Sequence, residues 1–294
     1  MRAVIAGTLG ALALAVCAAD APAVVGGKPV PSGQLRSVAN VSIGGEAGCT
    51  GTLIAPTWVM TAGHCGSATG ALGVPTQITF PASAYSVILN SVYADGRGGE
   101  THSVKRVVLA QDYGIQGGSG NDISLLELDA ASKVAPMKIA AVGERKLWRA
   151  GVKSTIAGFG LTDENASDPP DQMQRAQVPI RTDDECAKAY PGGAGPDQGA
   201  YDAKTMLCAG YPQGGTDTCQ GDSGGPLMIK LKTGRWRLVG ATSYGEGCAR
   251  PDKYGIYARV AEGPLRDFVK KFVPSALAPE PKPKARPKAH SPSK

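Results

Sequence analysis

The stretch DTCQGDSGGP, residues 217–226, sets two aspartates, a cysteine and three glycines around a single serine. A serine hydroxyl becomes a useful nucleophile only when a neighbouring base takes its proton, and the oxyanion its attack creates needs backbone N–H donors that no side chain obstructs. Glycine permits that approach. With Ser223 as the nucleophile, the N–H groups of Gly221 and Ser223 are the candidate donors. Alone, the run also reads as a Gly-rich surface turn, so the rest of the chain has to decide.

The chain has 294 residues, enough for one sizeable core, and its 40 glycines and 22 prolines call for many tight turns. Short alternating strands are expected in SVANVSI (37–43), WVMTA (58–62), VKRVVL (104–109), ISLLEL (123–128) and WRLVGATSY (236–244). Leu265, Phe268, Val269 and Phe272 recur at helical spacing and predict a helix near the end of the body. No repeat of fixed period is visible. The fold class that follows is all-β with a C-terminal helix.

The two ends differ from this body. Residues 1–23 read as an export signal, with Arg2 ahead of a short apolar run and Ala21-Pro22-Ala23 at cleavage-site spacing. Cleavage nearer Ala19 would leave Asp20 to Ala23 as a short propeptide. Residues 274–294 are rich in Pro, Lys and Ala and are expected to be a disordered basic tail. Five basic residues against Glu280 put +4 of the formal +6 there, enough for weak contact with an anionic surface. Setting aside Cys17 in the leader leaves six cysteines, an even number suited to disulfides in an oxidising compartment. Spacing alone leaves fifteen pairings open. A zinc site is the competing reading, but there is no C-x-x-C pair, and Cys65 alone has a histidine beside it.

Of the three histidines, His290 lies in the tail and His102 in a polar stretch without a supporting pattern. His64, in TAGHC (61–65), is the candidate base, and Asp122, in NDISLLEL (121–128), the candidate carboxylate. Together VVGG (24–27), TAGHC, NDISLLEL and DTCQGDSGGP, in that order, resemble the trypsin-like serine proteases of the chymotrypsin family, over roughly residues 24–272. The bare G-x-S-x-G run also fits the nucleophile elbow of α/β hydrolases, but the chain order His64, Asp122, Ser223 is not theirs.

The resemblance implies two six-stranded antiparallel β-barrels closed by a C-terminal helix, in a protease domain spanning 24–273. It makes His64 the general base, Asp122 its orienting carboxylate, Ser223 the nucleophile, and Gly221 and Ser223 the oxyanion hole. Asp217 falls at the floor of the primary specificity pocket, implying cleavage after Arg or Lys. Thr218, Gly245 and Gly255 line that pocket, and Ser243-Tyr244-Gly245 would bind substrate backbone as an added strand. Val24, once it carries a free amino group, would pair with Asp222. The implied disulfides are Cys49 with Cys65, Cys186 with Cys208, and Cys219 with Cys248. Ser154 and Ile229 stand where a further family disulfide would be, and three bridges are what several bacterial secreted members have.

A secreted, extracellular monomer is the expectation, with polypeptide substrates and protein protease inhibitors as partners. No cofactor and no metal are expected: no nucleotide- or nucleic-acid-binding pattern is present, and no acidic calcium loop is read between Gly66 and Gly99. The rival class is a protease-shaped binding protein that has lost catalysis. Intact residues at all three triad positions count against it.

Overall fold

The computed structural model describes residues 24–69, 75–113, 120–192 and 200–281. The expected export signal (1–23) and the basic stretch 282–294 lie outside the described residues.

Six strands build the first barrel: β1 (Val38–Ile43), β2 (Glu46–Ala55), β3 (Trp58–Thr61), β4 (Tyr85–Leu89), β5 (Glu100–Leu109) and β6 (Ser124–Leu128). They close in the order β1-β2-β3-β6-β5-β4. The second half contributes β7 (Lys153–Gly158), β8 (Gln174–Pro179), β9 (Met206–Ala209), β10 (Pro226–Lys230), β11 (Trp236–Tyr244) and β12 (Gly255–Arg259). Their path runs β8-β7-β10-β11-β12-β9 as a sheet whose two ends meet at a bridge between Ile180 and Ala209. Arg181 N–H donates to Cys208 O at 2.9 Å and Gly210 N–H to Pro179 O at 3.0 Å across that seam. Read as a ring, the second order repeats the first, strand for strand. The all-β expectation with a closed six-stranded barrel is met, and the second barrel closes through this narrow join.

Alternation explains why the strands look apolar on both faces. In β6, Leu126 and Leu128 point into the first barrel, while Leu125 joins Ile54, Met60, Met228, Leu238 and Ala258 in a core between the two halves. Both faces are buried because one fills a barrel and the other packs against the neighbouring barrel. The second barrel is filled by Ile156, Val178, Leu207, Leu227, Val239 and Tyr257. The C-terminal helix covers Gly263–Phe272 with Leu265 and Val269 buried, as its spacing predicts. All three disulfides implied by the resemblance are present. Where the further bridge is missing, Ser154 is buried and its hydroxyl donates to Val178 O at 2.8 Å, while Ile229 joins the apolar core.

The first eight residues of the expected tail belong to the packed body. Residues 274–281 dock on the body: Pro274–Ala276 form a 3-10 turn, Ala276 and Ala278 are buried, and Ala278 N–H donates to Ile139 O at 2.8 Å. The Glu280 carboxylate accepts from the N–H groups of Val142 (3.1 Å) and Gly143 (2.8 Å), at the start of the 3-10 helix Val142–Leu147. Short side chains pairing through backbone, and a carboxylate satisfying unpaired helix-start N–H groups, leave no periodic trace in sequence. Ending the chain after Val273 is therefore expected to cost about 2 kcal/mol relative to ending it after Pro281. That corresponds to a fall of roughly 4–8 °C in thermal unfolding.

Candidate active site

His64 sits on a single helical turn, Gly63–Gly66 (α1), directly after β3, and Cys65 on the same turn is bonded to Cys49 of β2. This fixes the turn against the barrel. The His64 backbone N–H donates to Asp122 Oδ1 at 2.9 Å, and its Nδ1 lies 3.0 Å from Asp122 Oδ2 and 3.2 Å from Oδ1. Desolvation of the ring favours neutral imidazole, but the Asp122 charge and its hydrogen bond outweigh it and hold the His64 pKa above its ordinary 6.5. Burial alone would raise Asp122. The His64 charge, the ring hydrogen bond, the Ser243 hydroxyl and the His64 N–H together bring it below its ordinary value. The carboxylate is thus charged and aimed, with its oxygens occupied.

The Ser243 hydroxyl donates to Asp122 Oδ2 across 121 residues of sequence. Sequence reading placed Ser243 only in the segment that pairs with substrate, and its hold on Asp122 had no local signal.

Ser223 lies in the turn before β10, clamped by both barrels. From the first barrel, Thr50 N–H donates to Ser223 O at 2.8 Å and Thr50 Oγ1 to Gly221 O at 2.9 Å. From the second, Thr242 accepts from Gly224 N–H and donates to Gly225 O, each at 2.8 Å. Among the described residues the N–H groups of Gly221 and Ser223 have no partner. Gly221 has φ +94°, and a Cβ there would lie 2.8 Å from Gly160 Cα, so only glycine fits. Two adjacent donors are left free on a rigid turn, suited to a developing oxyanion. No hydrogen bond joins Ser223 Oγ to His64 Nε2 among the described residues, and such pairs commonly tighten only with substrate bound. Beside Gly221 opens a cleft of about 290 Å³ lined by Cys49, Phe159, Leu161, Pro169 and Gln220.

Asp217 is buried and accepts from Thr218 N–H at 2.8 Å and Ala249 N–H at 3.3 Å. Burial, with the Asp222 charge adding, pushes its pKa up to about 7 against those two N–H groups. A carboxylate this poorly satisfied gains from any cation that reaches it. Gly255 makes room for that carboxylate, since a Cβ there would lie 2.4 Å from Asp217 Oδ1. Thr218 Oγ1 is 3.5 Å from the Tyr257 hydroxyl. Tyr244 leans edge-on against Tyr190 at 5.9 Å between ring centres, and Gly245 follows it.

Asp222 is fully buried, accepts from Gly160 N–H and Cys219 N–H at 2.9 Å each, and is pushed up to about 7 by burial. Val24 is also fully buried, and Val25 bridges Asp217, so this stretch runs beside the one that carries Asp217. The His/Cys grouping of metal-ligand size among the described residues is Cys49, His64 and Cys65, whose sulfurs are consumed by their disulfide.

The family profile described as Trypsin matches residues 24–269. A trypsin of Saccharopolyspora erythraea is 38% identical over 224 residues, covering 76% of this chain and 87% of that protein. A trypsin-like protease of Streptomyces glaucescens is 36% identical over 265 residues, covering 87% and 88%. Serine protease 56 of Homo sapiens is 33% identical over 267 residues, and the matched region spans 40% of that longer protein.

Proposed function

The chain belongs to the trypsin family and is a serine endopeptidase, and from that premise we propose that it is a secreted enzyme that cuts polypeptides after Arg or Lys through His64, Asp122 and Ser223. The observation that carries this reading is the His64–Asp122 pair, made by both the ring and the backbone N–H, beside a serine turn with two free amides.

Neutral His64 takes the Ser223 proton as Oγ attacks the scissile carbonyl, and Asp122 stabilises the imidazolium that results. The Gly221 and Ser223 N–H groups receive the carbonyl oxygen as it becomes an oxyanion. His64 then returns the proton to the departing amine, leaving an acyl-enzyme that water hydrolyses by the same steps. Asp217 holds the basic side chain before the cut. Thr218, Gly245 and Gly255 shape that pocket, and Ser243-Tyr244-Gly245 pairs with substrate backbone. Profiling cleavage of a peptide library tests the reading: cuts after Arg and Lys are expected, and cuts chiefly after Phe, Leu or Ala would overturn it. Labelling of Ser223 by a fluorophosphonate separates an active protease from a protease-shaped binding protein.

The pH dependence has a definite sign. His64 must be neutral to act, so kcat should fall as pH drops, at a pH above that of an ordinary imidazole. In the empty pocket Asp217 takes up a proton near pH 7. The KM for Arg and Lys peptides should therefore rise over the same range, while that for uncharged peptides stays flat. Equal KM profiles for the two substrate classes would remove Asp217 from the pocket.

Release of residues 1–23 gives Val24 an ammonium group, proposed to pair with Asp222. Ala23 is neither Lys nor Arg, so the enzyme's own specificity does not make that cut; signal peptidase or another protease does. A carboxylate raised from 3.8 to about 7 on folding stabilises the fold fully below its unfolded value, and that contribution disappears as pH rises through about 7. A chain still extended before Val24 should thus lose stability between about pH 4 and 7. A chain starting at Val24, with its cation beside Asp222, should lose less. Asp217 is raised chiefly by burial, which both forms share, so most of its contribution cancels in the difference. Thermal unfolding of both forms across that range checks the pairing, and parallel curves would count against it. The basic residues after Pro281 are proposed to add weak attraction to anionic surfaces, which retention of full-length and shortened protein on an anionic polymer measures.

A further inference from the structure

The loop between β7 and β8 touches two parts of the site at once. At its start, Gly160 N–H donates to Asp222 Oδ1 and Leu161 N–H to Gln220 O at 2.7 Å, beside the serine turn. Four residues on, Glu164 reaches the opposite side. Its Oε2 accepts from Arg250 Nε at 2.9 Å and from Cys248 N–H at 3.3 Å, and its Oε1 accepts from Arg250 Nη2. The Arg250 guanidinium, then the Cys248 N–H, hold the Glu164 carboxyl below the usual carboxylate range.

Between the two residues Glu164 grips lies Ala249, in the left-handed region at φ +56°, where a non-glycine residue is strained and persists only if its surroundings impose it. Ala249 is the residue whose N–H donates to Asp217 Oδ2, and its carbonyl accepts from Gly215 N–H at 2.9 Å. On one side the Cys219–Cys248 disulfide restrains it, and on the other the restraint is Arg250 held by Glu164. Gly247 makes room for the grip: a Cβ there would fall 2.2 Å from Arg250 Nε and 2.5 Å from Glu164 Oε2.

We propose that Glu164 is a positioning residue for the primary specificity pocket, clamping Cys248–Arg250 so that the Ala249 N–H stays on Asp217. The proposal rests on Asp217 being the specificity carboxylate. Glu164 and Arg250 are part-exposed, so their attraction adds little to overall stability. Its effect falls on the orientation of a strained segment, and hence on binding of the basic side chain more than on the chemical step.

The test measures kcat and KM separately for an Arg peptide, the inhibition constant of benzamidine as a small amidinium probe, and the rate of fluorophosphonate labelling. Glu164→Ala is expected to raise KM and weaken benzamidine about tenfold, with kcat and labelling within about twofold. Glu164→Gln keeps an acceptor for Cys248 N–H and should recover much of the loss. Arg250→Ala should mimic Glu164→Ala, and the double variant should be no worse than either, since one clamp is being removed. If Glu164→Ala proves poorly folded, Arg250→Ala carries the test. An unchanged KM in Glu164→Ala or Arg250→Ala, a loss confined to kcat, or additive losses in the double variant would overturn the proposal. Absence of Arg and Lys preference in the unaltered enzyme would instead sink the Asp217 reading on which it stands.

Discussion

Replacing Ser223 by alanine should abolish peptide-bond hydrolysis while leaving the protein folded. Among the described residues the Ser223 hydroxyl makes no hydrogen bond, and the turn is held through its backbone by Thr50 and Thr242, so truncation removes chemistry and almost no packing. The expected loss in kcat is roughly 10⁴–10⁶-fold, the range for removing the nucleophile of a unit whose members act together. Thermal unfolding should shift by no more than about 2 °C. Residual turnover of a few per cent would mean that another group attacks the substrate. Because the members act as one unit, His64→Ala in the Ser223→Ala background should add little further loss.

The second large effect concerns Asp217. Asp217→Ser should cut the preference for Arg and Lys over neutral side chains by about 10²–10⁴-fold, because a basic side chain then enters a buried pocket with no counter-charge. Reaction with the fluorophosphonate should persist, since the His64–Asp122 pair is untouched. Stability should move the other way. Asp217 is a buried carboxylate with two N–H donors, raised to about 7, so above that pH it carries a poorly compensated charge. Removing it should raise the unfolding temperature at pH 8 and have less effect at pH 5, where the carboxyl is already protonated. A variant that kept its basic preference, or lost stability at pH 8, would place the specificity charge elsewhere.

Two carboxylates that look alike in sequence differ in their surroundings. Asp217 and Asp222 stand five residues apart in one turn, and burial raises both to about 7. Asp217 lies against Gly255, where a Cβ would fall 2.4 Å from its Oδ1, whereas Asp222 is fully buried and accepts from Gly160 and Cys219 N–H. Under the proposed function, the same chemistry would serve an incoming cation in one case and a chain terminus in the other.

By itself the sequence determined where strands run at 38–43, 58–61, 104–109, 124–128 and 236–244, the C-terminal helix with Leu265 and Val269 inward, and the short motifs around His64, Asp122 and Ser223. These are local signals: side-chain period follows from backbone geometry, and a glycine beside a serine is readable wherever the chain folds. The three disulfides became legible through the resemblance, since spacing left fifteen pairings. Tertiary structure alone decided which distant groups meet. Ser243 reaches Asp122 across 121 residues, and Glu164 reaches Arg250 across 86. It also decided that Pro274 to Pro281 join the body, because they dock through backbone pairing and a carboxylate on free N–H groups, neither of which requires a periodic pattern. Likewise the second barrel closes at one bridge between Ile180 and Ala209, formed by backbone atoms that every residue carries. Hydrogen bonds between elements far apart in the chain depend on where the packed barrels place their loops, and no window of sequence contains both partners.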